Sequence, residues 1–280
     1  MTEFSKANLR VGMVQMTSAA NVAKNIEAVG TFFDQAEKEN IDLICFPECT
    51  NLIQRDRSKA IHEISSGDQN PFIDYCRSRA VEGNFWIHTG SVAVRDEGNE
   101  LFSNRTFLID NHGEIVCQYD KIHLFDVDLG NGRVHRESRR YQPGHRAVLC
   151  KTDWGQWGMS ICYDLRFPHL YRLYAKAGAT ILFIPSAFTV PTGEMHWEVL
   201  LRSRAIENGC YVIASAQCGH HEDGRVTYGH SMIVNPWGEV VADAGPDPGI
   251  LFLNLDLNTV LENRQSIPSL NNEREFLSPI

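Results

Sequence analysis

Two short apolar runs that end on proline set the architecture of this chain. Residues 41–46 read I-D-L-I-C-F and stop at Pro47, and residues 180–184 read T-I-L-F-I and stop at Pro185. Runs this short are closed by a residue with no N–H for a ladder, and they read as buried strands of a covered sheet. Each is preceded by the same succession. Residues 9–16 (L-R-V-G-M-V-Q-M) form a strand, and Asn21 or Ser18 can cap a helix to about Lys38, with Val22, Ile26, Val29, Phe33 and Ala36 at helical spacing. In the second block residues 147–152 and 156–162 make a β pair, and a helix over 168–176 ends at Gly178. Strand, helix, strand at these lengths is a βαβ unit.

The rest of the chain adds antiparallel pieces. A helix is expected over 71–82, a strand over 85–94, and a hairpin of 101–109 with 114–119 around Asn111-His112-Gly113. A strong amphipathic helix over 194–208 leads to a strand over 210–217. A second hairpin, 230–234 with 239–243, turns at Asn235-Pro236-Trp237-Gly238, and 250–255 is the last strand. Residues 122–142, with Gly130, Gly132 and several Arg, lack periodicity, and so long a segment is either functional or loose. These strands fit two mixed sheets better than one very wide sheet. The expected fold is therefore α/β, a four-layer αββα sandwich of two mixed sheets flanked by helices, in one domain over residues 1–280.

Charge and composition exclude several functions. The formal charge of −9 and the lack of any Lys/Arg run argue against a nucleic-acid partner. No apolar run approaches the ~20 residues of a membrane span, and residues 1–10 lack the apolar core of a signal peptide, so a cytoplasmic protein is expected. The eight cysteines include no C-x-x-C pair, which favours reduced thiols over disulfides or structural zinc. No metal or organic cofactor is expected.

One thiol stands apart. Cys162, in G-Q-W-G-M-S-I-C-Y-D-L-R-F-P, sits where a strand over 159–162 gives way to turn and helix. A nucleophile there is exposed at a strand end, and a helix N-terminus favours its thiolate; an inert buried thiol is the plainer alternative. A base is needed, and none of the eleven histidines is marked as one by its neighbours. Glu48, ending a buried strand in L-I-C-F-P-E-C, is placed for proton transfer, although it could equally face water. Lys121, in Y-D-K-I-H-L-F-D, could merely snorkel between Ile122 and Leu124. Beside a thiol and a carboxylate its ammonium would instead stabilise a thiolate and then an oxyanion. Ser160 lacks the second glycine of G-x-S-x-G, and no H-E-x-x-H is present, which disfavours serine and metallohydrolases. A catalytically silent binding module with the same fold is the rival of a different class.

The segments F-P-E at 46–48, D-K-I-H-L-F at 120–125 and I-C-Y-D-L-R-F-P at 161–168 resemble the three signature segments of the nitrilase (carbon–nitrogen hydrolase) superfamily. H-W-E-V-L-L-R-S-R-A-I-E-N at 196–208 and Y-G-H-S-M-I-V-N-P-W-G at 228–238 continue the match, and they look most like its Nit branch, amidases of deaminated glutathione and the related ω-amidases. The resemblance implies Glu48 as general base, Lys121 as oxyanion stabiliser and Cys162 as nucleophile. Glu137, in R-E-S, matches the second, supporting glutamate, and the Tyr163 backbone N–H would complete the oxyanion site. It also implies a homodimer, to which the helix ending in Ala205-Ile206 and the tail of about 266–280 could contribute.

The expected substrate is a small anionic amide. Arg166 could pair with its carboxylate, or else form a structural ion pair with Asp164 or another acid. Phe188 and Thr192, in S-A-F-T-V-P-T-G, follow a strand end where α/β pockets form, though Thr192 could simply cap the next helix. Tyr228 and His230 are further candidates for pocket walls.

Overall fold

The computed structural model describes residues 4–65, 70–130, 132 and 134–277. The first and last three residues and two positions of the 122–142 insert, all within the expectations above, lie outside the described residues. Three parallel strands, Asn8–Gln15, Leu43–Cys45 and Trp86–His88, form the centre of one sheet. Gly249–Asp256 pairs antiparallel on one side, and Ser103–Ile109, Val92–Val94 and Ile115–Asp120 extend the other. The second sheet repeats the plan. Gly155–Met159, Ala179–Phe183 and Tyr211–Ala214 run parallel, flanked by Leu149–Thr152 and by Met232–Val234 with Val240–Asp243.

Side-chain alternation along the strands explains the layers. Leu9, Val11, Met13, Leu43 and Cys45 share one core cluster with Trp157, Met159, Ile181 and Phe183 of the other sheet. Their neighbours Val14, Ile44 and Ile87 point the opposite way, into a second cluster with Val29, Phe33, Phe72 and Ile73 of the helices Val22–Lys38 and Pro71–Gly83. Helices Pro168–Lys176 and Val190–Asn208 cover the outer face of the second sheet through Tyr171, Tyr174, Trp197 and Leu201. The order is α, β, β, α.

Local departures from expectation have local causes. Asn21, not Ser18, caps the first helix, its side chain accepting from Lys24 N–H at 3.0 Å. The strand expected over 85–94 is two strands, because Gly90 takes φ +68° between them. A Cβ there would meet the Pro47 carbonyl oxygen at 1.8 Å, so only glycine lets this turn press on the chain just before Glu48. The 122–142 insert contains a small hairpin, Asp126–Asp128 with Val134–Arg136, and a 3₁₀ turn, Glu137–Arg139. Helices Arg57–Glu63 and Asn258–Ser266 carry no long periodic stretch and escaped the sequence reading. The helix expected from residue 194 begins at Val190, where Pro191 suits the first turn.

Candidate active site

The strand ends of the two sheets meet at one buried place. Glu48 leaves the strand Leu43–Cys45 through Pro47, and its backbone carbonyl accepts from Gln217 Nε2 at 2.9 Å. Cys49 takes φ +58° and donates its N–H to Ser91 Oγ at 2.9 Å, so the chain reverses directly after Glu48. Lys121 follows the strand Ile115–Asp120 and donates its N–H to the Asn104 carbonyl at 3.0 Å. Cys162 opens the 3₁₀ turn Cys162–Arg166 with φ +50°, its N–H on the Pro185 carbonyl at 3.0 Å. The strand before it ends at Met159, earlier than the expected 159–162, because the backbone turns sharply into this strained conformation. Only 4% of Glu48, 2% of Lys121 and 8% of Cys162 is exposed.

The four ionisable groups interlock. Lys121 Nζ donates to Glu48 Oε1 at 2.7 Å and to both oxygens of Glu137, at 2.9 and 3.1 Å. Glu137 is held in turn by the Phe125 N–H on its Oε2 at 2.6 Å. The Cys162 thiol shares this buried setting and feels both the Glu48 carboxylate and the Lys121 ammonium electrostatically. Burial alone would push the Lys121 ammonium down, but the Glu137 and Glu48 carboxylates outweigh it and its pKa ends well above the ordinary lysine value. The Cys162 thiol is also pushed well up, by burial first and then by Glu48, against the opposing pull of Lys121 and the Ala187 N–H. This reverses the expectation of a thiolate stabilised by a helix N-terminus. Desolvation wins, and the resting thiol keeps its proton beside a carboxylate that can take it.

A second layer aims these groups. Asp164, fully buried, accepts from Tyr119 O–H at 2.6 Å, from Ile161 N–H at 2.8 Å and from His123 N–H at 3.0 Å. The His123 ring nitrogen Nδ1 is 2.7 Å from the same carboxylate, and the ring stacks on Phe167 with centroids 3.5 Å apart. One carboxylate thus ties the segment after Lys121 to the turn that carries Cys162. Arg204, from helix Val190–Asn208, grips the Leu165 carbonyl through Nε and Nη2 at 3.1 and 2.8 Å. Asn104 Nδ2 donates to Glu48 Oε1 at 3.0 Å and approaches Glu137 Oε1 at 3.4 Å. Asn104, Asp164, Arg204 and Gln217 were not singled out for these roles, since each acts across a large sequence separation that no spacing rule captures.

The outer residues fall out differently. With Asp164 committed elsewhere, the alternative ion pair with Arg166 is absent. Arg166 instead lies over the Tyr163 and Phe188 rings, 5.9 and 5.6 Å from their centroids, with Nη2 3.2 Å from His196 Nδ1. Phe188 is buried against Trp197 at 4.8 Å. Thr192 is not the helix cap; Thr189 is, and the Thr192 hydroxyl bonds back to Thr189 at 2.9 Å. Tyr228 and His230 stack at 4.5 Å. Among the described residues no group of three or more His, Cys, Asp or Glu converges to hold a metal ion, and no helix is long and apolar enough to cross a membrane.

A four-layer sandwich of this topology, with ionisable side chains gathered at its strand ends, is the fold of the nitrilase superfamily. The Carbon-nitrogen hydrolase family model matches residues 10–265, and the chain belongs to that family, whose members act on carbon–nitrogen bonds such as those of amides. It is 39% identical over 277 residues to the Deaminated glutathione amidase of Dictyostelium discoideum, covering 95% of this chain and 94% of the relative. It is also 39% identical over 263 residues to the Probable hydrolase nit2 of Schizosaccharomyces pombe, covering 92% and 95%. The crystal structure of the Caenorhabditis elegans NitFhit protein superposes with a TM-score of 0.91 at 34% identity, over 96% of this chain and 66% of that longer one.

Proposed function

We propose that this chain is a thiol amidase that hydrolyses deaminated glutathione, a keto-acid amide with a peptide tail. Glu48 takes the thiol proton as Cys162 Sγ bonds to the amide carbon and the carbonyl electrons move onto oxygen. The Lys121 ammonium and the Tyr163 N–H hold that oxyanion. The C–N bond breaks as Glu48 returns the proton to the departing amine, leaving a thioester. A water deprotonated by Glu48 then adds to the acyl carbon, the C–S bond breaks and the thiol regains its proton. Glu137 keeps the Lys121 ammonium aimed throughout, and Arg166 pairs with a substrate carboxylate beside Phe188. Thr192, its hydroxyl already used, contributes surface rather than a hydrogen bond.

The observation that carries this reading is the Lys121 ammonium seated between Glu48 and Glu137, with the buried Cys162 thiol under the electrostatic influence of Glu48 and Lys121. The substrate is argued from the relatives named deaminated glutathione amidase. An ω-amidase acting on α-ketoglutaramate is the second reading, resting on the Nit-branch likeness of the segments at 196–208 and 228–238; an equally similar relative is named only a probable hydrolase. Comparing kcat/KM on deaminated glutathione, α-ketoglutaramate, glutamine and a simple nitrile decides between them. Deaminated glutathione is expected to lead. A wide margin in favour of α-ketoglutaramate would make the second reading the right one.

We further propose a single catalytic domain over residues 1–280, because strands from both halves share one core cluster. The eight free cysteines suit a reducing compartment, the cytoplasm. A homodimer is proposed through the outer face of helix Val190–Asn208. Met195, Val199 and Ile206 are exposed there, while Ala205 faces the core. Trp237 and Ile267 are exposed at the border of an adjoining groove of about 520 Å³, which contains none of Glu48, Lys121 or Cys162. An unpartnered apolar face of this kind marks an association surface. Sedimentation should give a dimer that Val199→Glu with Ile206→Glu converts to monomer; a wild-type monomer at micromolar concentration would refute it.

A further inference from the structure

We infer that Asn104 is a positioning residue for proton transfer. It commits one oxygen of Glu48 to hydrogen-bond donors and leaves the other, Oε2, as the oxygen that carries the proton between Cys162 and the departing nitrogen. The inference rests on the proposed amidase reading and adds to it which atom of the base does the work.

On local grounds asparagine is a poor choice for this position. Side chains alternate along the strand Ser103–Ile109, and Asn104 shares its face with Leu108, which belongs to the core between the sheets. Asparagine is depleted in strands, and this one is only 2% exposed. Its Oδ1 is buried and finds no hydrogen-bond donor among the described residues. A buried acceptor left unmet costs stability. Turning the amide over would not help, since Oδ1 would then face the carboxylates of Glu48 and Glu137. A residue that breaks two local rules without structural return is held there for its chemistry.

The contacts of Asn104 join the reacting groups. Its carbonyl accepts from Lys121 N–H at 3.0 Å, which fixes where the lysine side chain starts. Its Nδ2 donates to Glu48 Oε1 at 3.0 Å and approaches Glu137 Oε1 at 3.4 Å. Lys121 Nζ donates to the same Glu48 Oε1 at 2.7 Å. Two donors on one oxygen hold the carboxylate against rotation, and among the described residues no N–H donor bonds to Oε2. Oε1, carrying both donors, is the poorer proton acceptor. Oε2 therefore takes the thiol proton as Cys162 Sγ bonds to the amide carbon, and gives it to nitrogen as the C–N bond breaks. It then takes a proton from water and returns it to sulfur as the C–S bond breaks. Lys121 also has to serve Glu137 and the oxyanion, so the strand-borne amide is the donor that stays with Glu48 throughout.

Asn104→Leu, of similar volume, removes the donor and the unmet acceptor together. It should lower kcat by about 10- to 100-fold, the worth of a charge-assisted hydrogen bond, with KM within about twofold of wild type. Its melting temperature should equal or exceed that of wild type, because the unmet acceptor leaves with the amide. Asn104→Asp puts a third carboxylate around one ammonium; it should lose at least as much kcat and melt lower. A second measurement asks whether Asn104 acts through Glu48. Alkylation of Cys162 by iodoacetamide, followed by mass spectrometry, should slow about 10-fold in Asn104→Leu. In a Glu48→Gln background the same substitution should slow it no further. Wild-type kcat in Asn104→Leu, a large fall in its melting temperature, or additive effects on alkylation overturns the role. A wild type that hydrolyses no amide, with alkylation still coupled through Glu48, overturns the amidase reading and not the action of Asn104 on the base.

Discussion

A Cys162→Ala protein is expected to fold normally and to lose about four to six orders of magnitude in kcat for amide hydrolysis. Alanine tolerates the left-handed conformation no worse than cysteine does, so the turn should survive the change. No neighbouring group can take over. The Ser160 hydroxyl is committed to Tyr171 at 2.8 Å and to the Phe183 carbonyl at 2.7 Å. The Cys49 thiol is pushed up to about 12, chiefly by burial, which leaves it protonated and a poor nucleophile. Mass spectrometry of rapidly quenched mixtures should find an acyl adduct on the wild type and none on the variant. The raised pKa of Cys162 has a signed consequence as well. Because the neutral thiol is favoured, alkylation of the resting enzyme should show no titration near the ordinary thiol value of about 8.5. Full activity in the alanine variant would refute the whole assignment.

Lys121→Met should fail in two ways at once. On the proposed mechanism, removing the ammonium takes away the stabiliser of the developing oxyanion and should lower kcat by about 10²- to 10³-fold. It also leaves Glu48 and Glu137 facing each other in a buried site without their shared counter-ion. Breaking a buried pair from one side costs about 3–5 kcal/mol, far more than deleting an exposed ion pair. The second substitution Glu137→Gln should restore much of the stability and none of the rate. Denaturant unfolding and steady-state kinetics on the single and double variants separate the two effects. Were the single variant as stable as wild type, the interlocked arrangement of Lys121 with both carboxylates would not be what holds the site together.

How much of this could be read in advance follows from how local each signal is. Pro47 and Pro185 punctuate their strands so plainly that the sandwich follows from residue order, and Glu48, Lys121 and Cys162 are each visible at a strand end. Glu137 had no signal of its own; only the resemblance singled it out, inside a segment without periodicity. Asn104 and Asp164 bond to groups 56 and 45 residues away, and such contacts exist only once the sheets have closed. The split at Gly90 was foreshadowed, since glycine within a strand marks a bend or a close approach, yet the neighbour it makes room for is Pro47, far off in sequence. Charge could be counted from the sequence. The partner of Arg166 could not, because Asp164 was already claimed by three other groups.

Glu48 and Lys121 leave one sheet, and Cys162 leaves the other. The proposed reactive centre therefore exists only once the two halves of the sandwich have docked and excluded water between them. A nascent or partly unfolded chain exposes its thiols singly, with neither acid nor amine beside them, and is chemically harmless toward the amides around it. On this assignment, completing the fold is itself what assembles the activity.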